Sequence, residues 1–459
     1  MIPALLSVAA AIALGVLFVA ERPSLRTPAL GVLALATGGL ALWLPSTGDP
    51  IRRHVLIVAV ALVVGVPIAV AVARVFRRAP LVFFASVAVA IPLRLALTHD
   101  GREGTFLLLL YAVVACAFAG LVLDTIERYP TPQIGPWIGL PLAIYIGLAG
   151  LSLAWSSDPE NGATSMLFYL LPFALLAVSI AAYELRDLGP LLRIQVALAL
   201  LLTAVGVYQS LTHTIWWNRK LMTSNEFAGF FRVNSLFYDP SIFGRFLAVT
   251  VALIVSALFF IRVRSPKVAA AGAVSCWIGL FVSYSQSSFV ALSAGIAIAL
   301  VIVGGRRFAI ALAIAAACVA IVTLALPGVR SASLDRVTSG RSQLADKGLD
   351  LYLAHPFAGA GFGASEKEGG RRVQHVLPLT VASELGTLGL LVLVWLLAAL
   401  ARLAFAEGPR RSERLVLGVG LSVVAVHALF YAAFFEDPLS FALIALLASS
   451  ARPGMIVNR

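Results

Sequence analysis

The sequence predicts an all-α fold, a polytopic transmembrane helix bundle with about 14 spans and a large external loop carrying short amphipathic helices. Hydrophobic residues make up 60% of the chain and charged residues only 12%, whereas soluble domains carry about 25% charged residues. The apolar residues stand in long blocks typical of membrane-spanning helices. Residues 55–75 show none of the alternation that barrel strands require. Since lipid offers the backbone no hydrogen bonds, each block must be helical.

Fifteen apolar blocks are candidates for spans, and we expect fourteen of them, give or take two, to cross the bilayer. We divide the chain into N-terminal helices (1–211), helices with a first external loop (212–326), a large external loop (327–378) and C-terminal helices (379–459). The blocks fall near 2–20, 28–45, 54–76, 80–97, 105–123, 136–155, 165–183, 191–211, 240–261, 267–284, 288–304, 308–326, 379–401, 415–434 and 438–451.

The net charge of +12 reflects topology rather than nucleic-acid binding. Most of the arginines lie in short loops between apolar blocks, and such loops face the cytoplasm. Three basic loops alternate consistently, which places 212–239, 327–378 and the turn at 285–288 outside. The basic residues of these loops are Arg262, Arg264, Lys267, Arg306, Arg307, Arg402, Arg410, Arg411 and Arg414. Under the same alternation Arg52 and Arg53 fall outside, which leaves the number of spans in the first half open.

The sequence gives little indication of a metal site or a cofactor site. The cysteines Cys116, Cys276 and Cys318 each sit inside an apolar block, without a second Cys or a His at metal-ligand spacing. We therefore expect no disulfide, no metal site and no cofactor. Residues 2–20 lack a preceding basic region, so we interpret them as the first span rather than a cleaved signal.

The external segment 327–378 is about fifty residues long, far longer than usual helix connections, and such loops tend to carry function. The spacing of apolar residues predicts a helix over 340–353. The glycines at 359, 361 and 363 either let backbone N–H groups approach an anion or form a plain turn. His375, just before a span, is a candidate proton acceptor at neutral pH. His355 precedes a proline and is more typical of a turn. His427 lies within an apolar helix, where we expect it to make a packing hydrogen bond.

A second polar segment runs from Arg232 to Arg245. Asp239-Pro240 before an apolar run predicts a helix start, with Asp239 capping free N–H groups. Arg245 lies inside that helix, where it either faces a polar partner or extends to the lipid headgroups. Arginine also grips phosphate oxygens with two parallel hydrogen bonds, so Arg232 and Arg245 are candidate pyrophosphate ligands.

A third polar segment, from Ser283 to Ser288, separates two apolar helices. It is either a re-entrant polar turn or an outer loop.

The three segments, in this order, resemble the O-antigen ligase/polymerase family. The matching pieces are Tyr238-Asp239-Pro240, the Ser285-Gln286-Ser287 turn, and a loop that begins with Gly340-Arg341 and continues through His355-Pro356 and Gly359-Ala360-Gly361. The loop ends with His375 ahead of Glu384-Leu385-Gly386. Gln286 stands where the family usually has Arg, and Val376 where Asn commonly follows the His. The resemblance covers residues ~230–395.

The resemblance implies a metal-independent glycosyltransferase in the cytoplasmic (inner) membrane, with its active site on the external face. A glycan on a polyprenyl pyrophosphate carrier is transferred to a hydroxyl of a glycan or lipid-anchored acceptor, by an O-antigen ligase-like enzyme or a polysaccharide polymerase. His375 is then the catalytic residue, and Arg232, Arg341 and Arg245 bind pyrophosphate. Membrane lipids are expected partners and nucleic acid is not.

Two other interpretations remain. A lipid-linked glycan flippase or other polytopic transporter also has many spans and buried arginines, but its polar residues should lie near mid-bilayer at interrupted helices. The second alternative interpretation is a structural membrane subunit. The residues do not distinguish ligase from polymerase.

Overall fold

The computed structural model describes residues 1–93, 95–99, 102–183, 185, 187–227, 230–325, 341–367, 376–406 and 412–450, and only the backbone of 95–99, 102–106, 312–325 and 341–344. The first half is helical except for one hairpin, and a π-helical turn at Met166–Leu170 joins α8 to α9. Its elements are α1 Ile2–Val19, α2 Pro23–Trp43, α3 Pro45–Arg53, α4 Val55–Arg78, α5 Pro80–Ala90, β1 Leu95–His99, β2 Arg102–Phe106, α6 Leu108–Ile126, α7 Pro136–Ser152, α8 Pro159–Ser165, α9 Leu171–Ala182 and α10 Leu188–Thr212.

All the regular elements described in the second half are helices. Its longest element, α14, consists of two helices that meet at Gly305, which has a φ of 65°. The elements are α11 Arg219–Phe227, α12 Pro240–Phe260, α13 Pro266–Val282, α14 Gln286–Ala325, α15 Arg341–Ala354, α16 Ala364–Lys367, α17 Leu377–Phe405, α18 Ser412–Ala428 and α19 Pro438–Ser449. Helix α15 covers the segment for which helical spacing was predicted.

Within the described residues, nine helical segments are long and apolar enough to cross a membrane. They are Ile2–Val19, Pro23–Trp43, Val55–Arg78, Leu108–Ile126, Pro159–Ala182, Leu188–Thr212, Pro240–Phe260, Gln286–Ala311 and Leu377–Phe405. Four shorter apolar helices of 10–17 residues accompany them, namely α5, α7, α13 and α19. The helical, multi-pass architecture is confirmed, and the count of about fourteen spans stays a prediction.

One predicted apolar block, near 80–97, is not a single helix. Helix α5 ends at Ala90, and β1 pairs in an antiparallel register with β2, so that Leu95 lies opposite Phe106. The two strands flank Asp100-Gly101 in the sequence, a dipeptide typical of tight hairpin turns. The all-α prediction therefore needs this correction: apolar content alone does not distinguish a short strand from a helix.

Aspartate-proline pairs begin three helices. In each, the carboxylate accepts a hydrogen bond from a backbone N–H of the first turn, and the proline takes a position that needs no N–H donor. The bonds run from Asn161 N to Asp158 at 3.2 Å, from Ser241 N to Asp239 at 2.6 Å and from Leu439 N to Asp437 at 3.2 Å. The predicted capping role of Asp239 is confirmed.

The bundle has two distinguishable ends. One end, which we call the site end, is where four helices begin (α8, α12, α17 and α19) and three helices end (α7, α13 and α18). Helix α12 begins at the site end and has 21 residues, so it extends about 30 Å to the opposite end. The basic residues that follow it, Arg262, Arg264 and Lys267, therefore lie at the opposite end. At this end the backbone N–H of Gly135 donates to the carbonyl of Phe18 at 3.0 Å, which sets α1 and α7 antiparallel.

Burial differs sharply between helices. In α12, 83% of the apolar stretch is buried within the protein, against none in α4. Helix α12 packs against α10, α13, α14 and α18, so it is the central helix of the C-terminal half. Helix α4 lies at the periphery, where apolar side chains suit a lipid environment.

Candidate functional site

The site end is organised around a break in helix α17. Gly386 adopts a φ of 66° and a ψ of −162°, which interrupts the helix after its first turns. A break leaves backbone groups without their helical partners, and such groups must find others when buried. Residues 356–361, between α15 and α17, supply them. The bonds are Ala360 N to Ser383 O (2.8 Å), Gly361 N to Glu384 O (3.0 Å), Thr387 N to Pro356 O (2.8 Å) and Leu388 N to Phe357 O (3.4 Å).

The three loop glycines make this close approach possible. All three have positive φ angles, between 72° and 98°, a region that only glycine enters at no steric cost. A Cβ at any of them would collide with backbone atoms. It would lie 2.2 Å from the carbonyl carbon of Glu384 for Gly359, 2.3 Å from the Cα of Ser156 for Gly361 and 2.4 Å from the nitrogen of Gly162 for Gly363.

The same stretch directs its N–H groups into the protein. Four consecutive amides, those of residues 359–362, donate to protein acceptors rather than toward an open space. The acceptors are His355 O (3.0 Å), Ser383 O (2.8 Å), Glu384 O (3.0 Å) and Ser152 Oγ (3.0 Å). Of the two interpretations of the glycines, this geometry favours the packed turn over an anion cradle.

A segment of the N-terminal half holds the other side of the glycine stretch. Ser156 Oγ donates to the carbonyl of Phe362 at 2.9 Å, and Asn161 Nδ2 donates to the carbonyl of Gly363 at 3.1 Å. Trp155 Nε1 reaches the carbonyl of Gly359 at 3.3 Å. Residues 359–363 are thus held between α17 and the connection from α7 to α8, about 200 residues earlier in the sequence.

A cavity opens beside this junction, with about 630 Å³ of empty space including its mouth. Its wall combines carboxylates, an amide, hydroxyls and aromatic rings. It is lined by Tyr145, Asn161, Ser165, Leu170, Phe362, Gly363, Ser365, Leu377, Thr380, Val381, Glu384, Ala432, Phe435 and Glu436. The cavity therefore lies where α7, α8, α17 and the segment before α19 meet residues 362–365.

Glu384 is the most buried acid of this wall, at 7% exposure. Its Oε1 accepts a hydrogen bond from Ser365 Oγ at 2.5 Å. A buried carboxylate is costly unless it is hydrogen-bonded. The break at Gly386 and the bond from Ser365 therefore hold Glu384 at the cavity wall.

Below the cavity, Arg245 and Asp437 form a buried ion pair. Arg245 Nη2 lies 2.7 Å from Asp437 Oδ2, and the side chains are 1% and 4% exposed. The contact is short but outside hydrogen-bond geometry, and the guanidinium also lies 5.9 Å from the Tyr431 ring. Asp437 caps α19 with its other oxygen, so the pair joins α12 to the start of α19.

The turn between α13 and α14 is a buried polar turn. Ser285 Oγ lies 2.7 Å from Ser288 Oγ and 3.3 Å from Ser287 Oγ. Ser287 Oγ lies 3.1 Å from His427 Nε2, which is the packing hydrogen bond expected of His427. The serines pack against Gly244 of α12, where a Cβ would lie 2.7 Å from the Ser285 Cβ. Gln286, at the position where the family usually has Arg, is exposed.

The remaining predicted site residues are placed only in part. Arg232 is half-buried, and Asn225 holds its peptide unit through bonds at 2.9 and 3.1 Å. Arg341 is the first residue of α15, and its side chain lies outside the described part. His375 lies outside the described residues altogether; Leu377, two positions later, lines the cavity. The catalytic role of His375 and the pyrophosphate roles of Arg232, Arg341 and Arg245 therefore stay predictions.

Across the side chains that the structure describes, no group of three or more His, Cys, Asp or Glu residues is placed to hold a metal ion.

The comparison with protein families returns one match. Residues 271–394 match the family described as O-antigen ligase. This segment, which we call the ligase domain, is similar to the O-antigen ligase family. The match confirms the resemblance to the O-antigen ligase/polymerase family, and with the apolar helices it identifies a multi-pass membrane protein of ligase-type glycan processing. The comparison with curated proteins finds no match.

The ligase domain contains the serine turn, helix α15, the glycine stretch, Ser365 and the break in α17. It supplies only part of the cavity wall, since Tyr145, Asn161, Ser165 and Leu170 precede it and Ala432, Phe435 and Glu436 follow it. Sequence reasoning missed these seven residues. Asp158-Pro159 carries the same helix-start signal as Asp239-Pro240, but nothing in the sequence indicates that this start meets residues 359–363.

Proposed function

We propose that this protein transfers a polyprenyl-pyrophosphate-linked glycan to a hydroxyl of an acceptor glycan on the external side of the cytoplasmic membrane. The observation that carries the proposal is the O-antigen ligase match over 271–394, because that segment contains the loop and the broken helix that build the cavity. The acceptor is either a growing chain or a lipid-anchored core, and the transfer chemistry is the same in both.

The reaction we propose is a displacement at the anomeric carbon. The acceptor oxygen bonds to that carbon, the bond from carbon to the pyrophosphate oxygen breaks, and the hydroxyl proton passes to His375. Polyprenyl pyrophosphate leaves. Arg232 and Arg341 neutralise the developing charge on pyrophosphate through paired hydrogen bonds, so that the reaction is metal-independent. General-base assistance of this kind contributes about 10²–10⁴-fold in rate.

In this proposal Arg245 has a role other than pyrophosphate binding. Its charge is balanced by Asp437 2.7 Å away, and both side chains are buried. A contact of Arg245 with pyrophosphate requires this pair to open. We therefore propose that Arg245 mainly positions the start of α19, next to Glu436 in the cavity wall.

The external placement rests on charge asymmetry. The loops at the far end of α12 and of the first half of α14 carry Arg262, Arg264, Lys267, Arg306 and Arg307. Positively charged short loops face the cytoplasm, so the site end faces outward, where a polyprenyl-linked glycan is available after its export.

The test is glycan transfer by the purified full-length protein in lipid nanodiscs, with the source cell's lipid-pyrophosphate glycan as donor. We expect His375→Ala to reduce kcat by about 10²-fold or more, and Arg341→Ala to raise the donor KM strongly. His54→Ala and Arg53→Ala, at exposed positions, are the matched controls.

Wild-type rates in the His375→Ala variant would refute its catalytic role. Movement of the donor across vesicle membranes without any transfer would instead support the transporter alternative.

A further inference from the structure

Arg232 stands at the point where a buried segment reaches the surface. The next three residues, 233–235, are fully buried, whereas Arg232 is half-buried and Phe230 is exposed. The segment 232–238 leads directly into α12, which begins at the site end. The position of Arg232 therefore depends on the contacts that hold this segment.

One side chain, that of Asn225, holds both backbone groups of Arg232. The Nδ2 group of Asn225 donates to the carbonyl oxygen of Arg232 at 2.9 Å, and the backbone N–H of Arg232 donates to Asn225 Oδ1 at 3.1 Å. A carboxamide offers the same donor and acceptor as a peptide group, so the two bonds reproduce one hydrogen-bonded pair of an antiparallel β-ladder. Replacement of the carboxamide by a methyl group removes both bonds at once.

A second carboxamide holds the same segment three residues further on. Gln209 Nε2 donates to the carbonyl of Ser235 at 3.1 Å, and the backbone N–H of Ser235 donates to Gln209 Oε1 at 2.8 Å. Ser235 has a φ of 52°, a region that residues other than glycine seldom adopt and that persists only where the surroundings impose it. The segment is therefore fixed at its buried part by Gln209 and at its outer part by Asn225.

Helix α11 connects the two ends of the segment. Asn218 precedes the helix: its Oδ1 accepts from the backbone N–H of Leu221 at 3.1 Å, and its Nδ2 donates to the carbonyl of Tyr238 at 2.6 Å. Asn225 lies about two helical turns later and binds Arg232. Most other residues of α11 are exposed, so hydrogen bonds rather than a packed core carry much of this attachment. The start of α11 is thus joined to Tyr238, and its second turn to Arg232.

We propose that Asn225 is a positioning residue that holds Arg232 in place for the pyrophosphate of the donor. The inference rests on the proposed function, which assigns Arg232 to pyrophosphate binding. An arginine side chain loses much rotamer freedom when it binds, and a backbone fixed beforehand lowers the ordering cost that binding must meet. Asn225 acts through the backbone of Arg232 and is not itself assigned a contact with either substrate.

The test measures the binding of farnesyl pyrophosphate, a short polyprenyl pyrophosphate, to the purified full-length protein in nanodiscs by titration calorimetry. We expect Asn225→Ala to weaken binding about tenfold, which corresponds to about 1.4 kcal/mol, because binding must then order the backbone of Arg232. Ser224→Ala is the matched control, since Ser224 precedes Asn225 on α11 and is exposed. The affinity of this control should stay within about twofold of wild type.

A double-mutant cycle distinguishes positioning from a general loss of stability. In an Arg232→Ala background, Asn225→Ala should weaken binding by no more than about twofold further, because residues that act through one group are not additive. Farnesol, which lacks the pyrophosphate, should bind wild type and Asn225→Ala equally. Asn225→Asp is a second variant of the same shape: it keeps the acceptor for the N–H of Arg232, loses the donor to its carbonyl, and should also weaken binding.

Wild-type affinity in Asn225→Ala and Asn225→Asp, beside weakened binding in Arg232→Ala, would overturn the positioning role and leave the pyrophosphate role of Arg232 intact. Equal losses from Asn225→Ala with and without Arg232 would also overturn it, because the effect would then not pass through the arginine. Wild-type affinity in Arg232→Ala, or no binding by wild type, would contradict both this inference and the assignment of Arg232 to pyrophosphate.

Discussion

The two ends of the bundle each bury an arginine, and they do so with different partners. Arg26, at the end opposite the site, is fully buried, and its Nη1 donates to the carbonyls of Leu17 and Ala20 at 3.2 and 3.0 Å. Its Nε and Nη2 have no hydrogen-bond partner in the described structure. Arg245, at the site end, is paired with the carboxylate of Asp437.

The difference shows what each arginine does. Arg26 donates to neutral carbonyls at the turn from α1 to α2, and it lies near Asp124, whose carboxylate is paired with Arg77 at 2.9 Å. Its loss therefore removes hydrogen bonds and leaves no carboxylate without a counter-charge. Arg245 balances a buried anion, so its loss leaves Asp437 without its counter-charge. A buried charge that loses its partner is far more costly than a pair of carbonyls that loses a donor. The two arginines therefore differ in kind: Arg245 is held by a charge pair, and Arg26 is held mainly by backbone carbonyls.

The largest expected effect concerns which end faces outward. In a background without Cys116, Cys276 and Cys318, we place single cysteines at Ala358 and Ser265, both exposed. A membrane-impermeant maleimide should label Ala358→Cys in intact cells, because basic short loops such as the one at 262–267 stay inside. Ser265→Cys should react only after permeabilisation. The reverse pattern would contradict the assignment of the two ends.

The next effect separates the two arginines by stability. Arg245→Met should lower the free energy of unfolding by about 3–5 kcal/mol, as expected for a broken buried pair. Arg26→Met should cost about 1–3 kcal/mol, since it leaves two carbonyls without a donor. Both are measured by denaturant unfolding in detergent, followed by tryptophan fluorescence.

The double variant Arg245→Met/Asp437→Asn is the control for this comparison. It removes both charges and keeps an N-cap side chain on α19, so most of the lost stability should return. A larger loss for Arg26→Met than for Arg245→Met, or no recovery in the double variant, would show that charge pairing does not distinguish the two arginines.

The smallest expected effect compares the stability cost of adding a methyl group at the packed site end with the cost of adding one at the periphery. Gly361→Ala should cost about 1–3 kcal/mol through overpacking, because the new Cβ would lie 2.3 Å from the Ser156 Cα. Its control is Gly65→Ala, in the exposed helix α4, where a Cβ meets nothing within 4 Å. That change should stabilise α4 by up to about 1 kcal/mol. Equal melting temperatures for the two variants would argue against the fixed loop.

The helices could be predicted from the sequence because lipid leaves the backbone few alternatives. The block near 54–76 corresponds to α4, the block near 240–261 to α12, and Asp239 caps α12 as its side chain and the following proline require. The hairpin β1–β2 was missed, since a short apolar strand and a helix have similar composition. The number of crossings depends on short helices such as α5 and α19, whose lengths alone do not establish a span.

The sequence indicates the segments that contain the glycine stretch and Glu384, but neither Arg232 nor Arg245, the predicted site residues with described side chains, lines the cavity. Gly359, Gly361 and Gly363 were recognised as unusual, but their partners at 152–162 lie about 200 residues away. No local pattern encodes such a contact. For Arg245 the sequence leaves two alternatives open, a polar partner or the lipid headgroups. The structure gives it the partner Asp437, which had no sequence signal beyond its own cap. Residues 212–239 were predicted as an outer loop, and the helix α11 within it was not.

The break at Gly386 also limits how this protein can exchange parts with its relatives. Four backbone hydrogen bonds join residues 356–361 to residues 383–388, so this stretch and the first turns of α17 form one connected piece of backbone. A chimera that replaces the loop and keeps the helix must rebuild all four bonds at once. A junction placed after Leu388, within the regular part of α17, preserves them. We therefore expect chimeras joined after Leu388 to fold more readily than chimeras joined between residues 361 and 383.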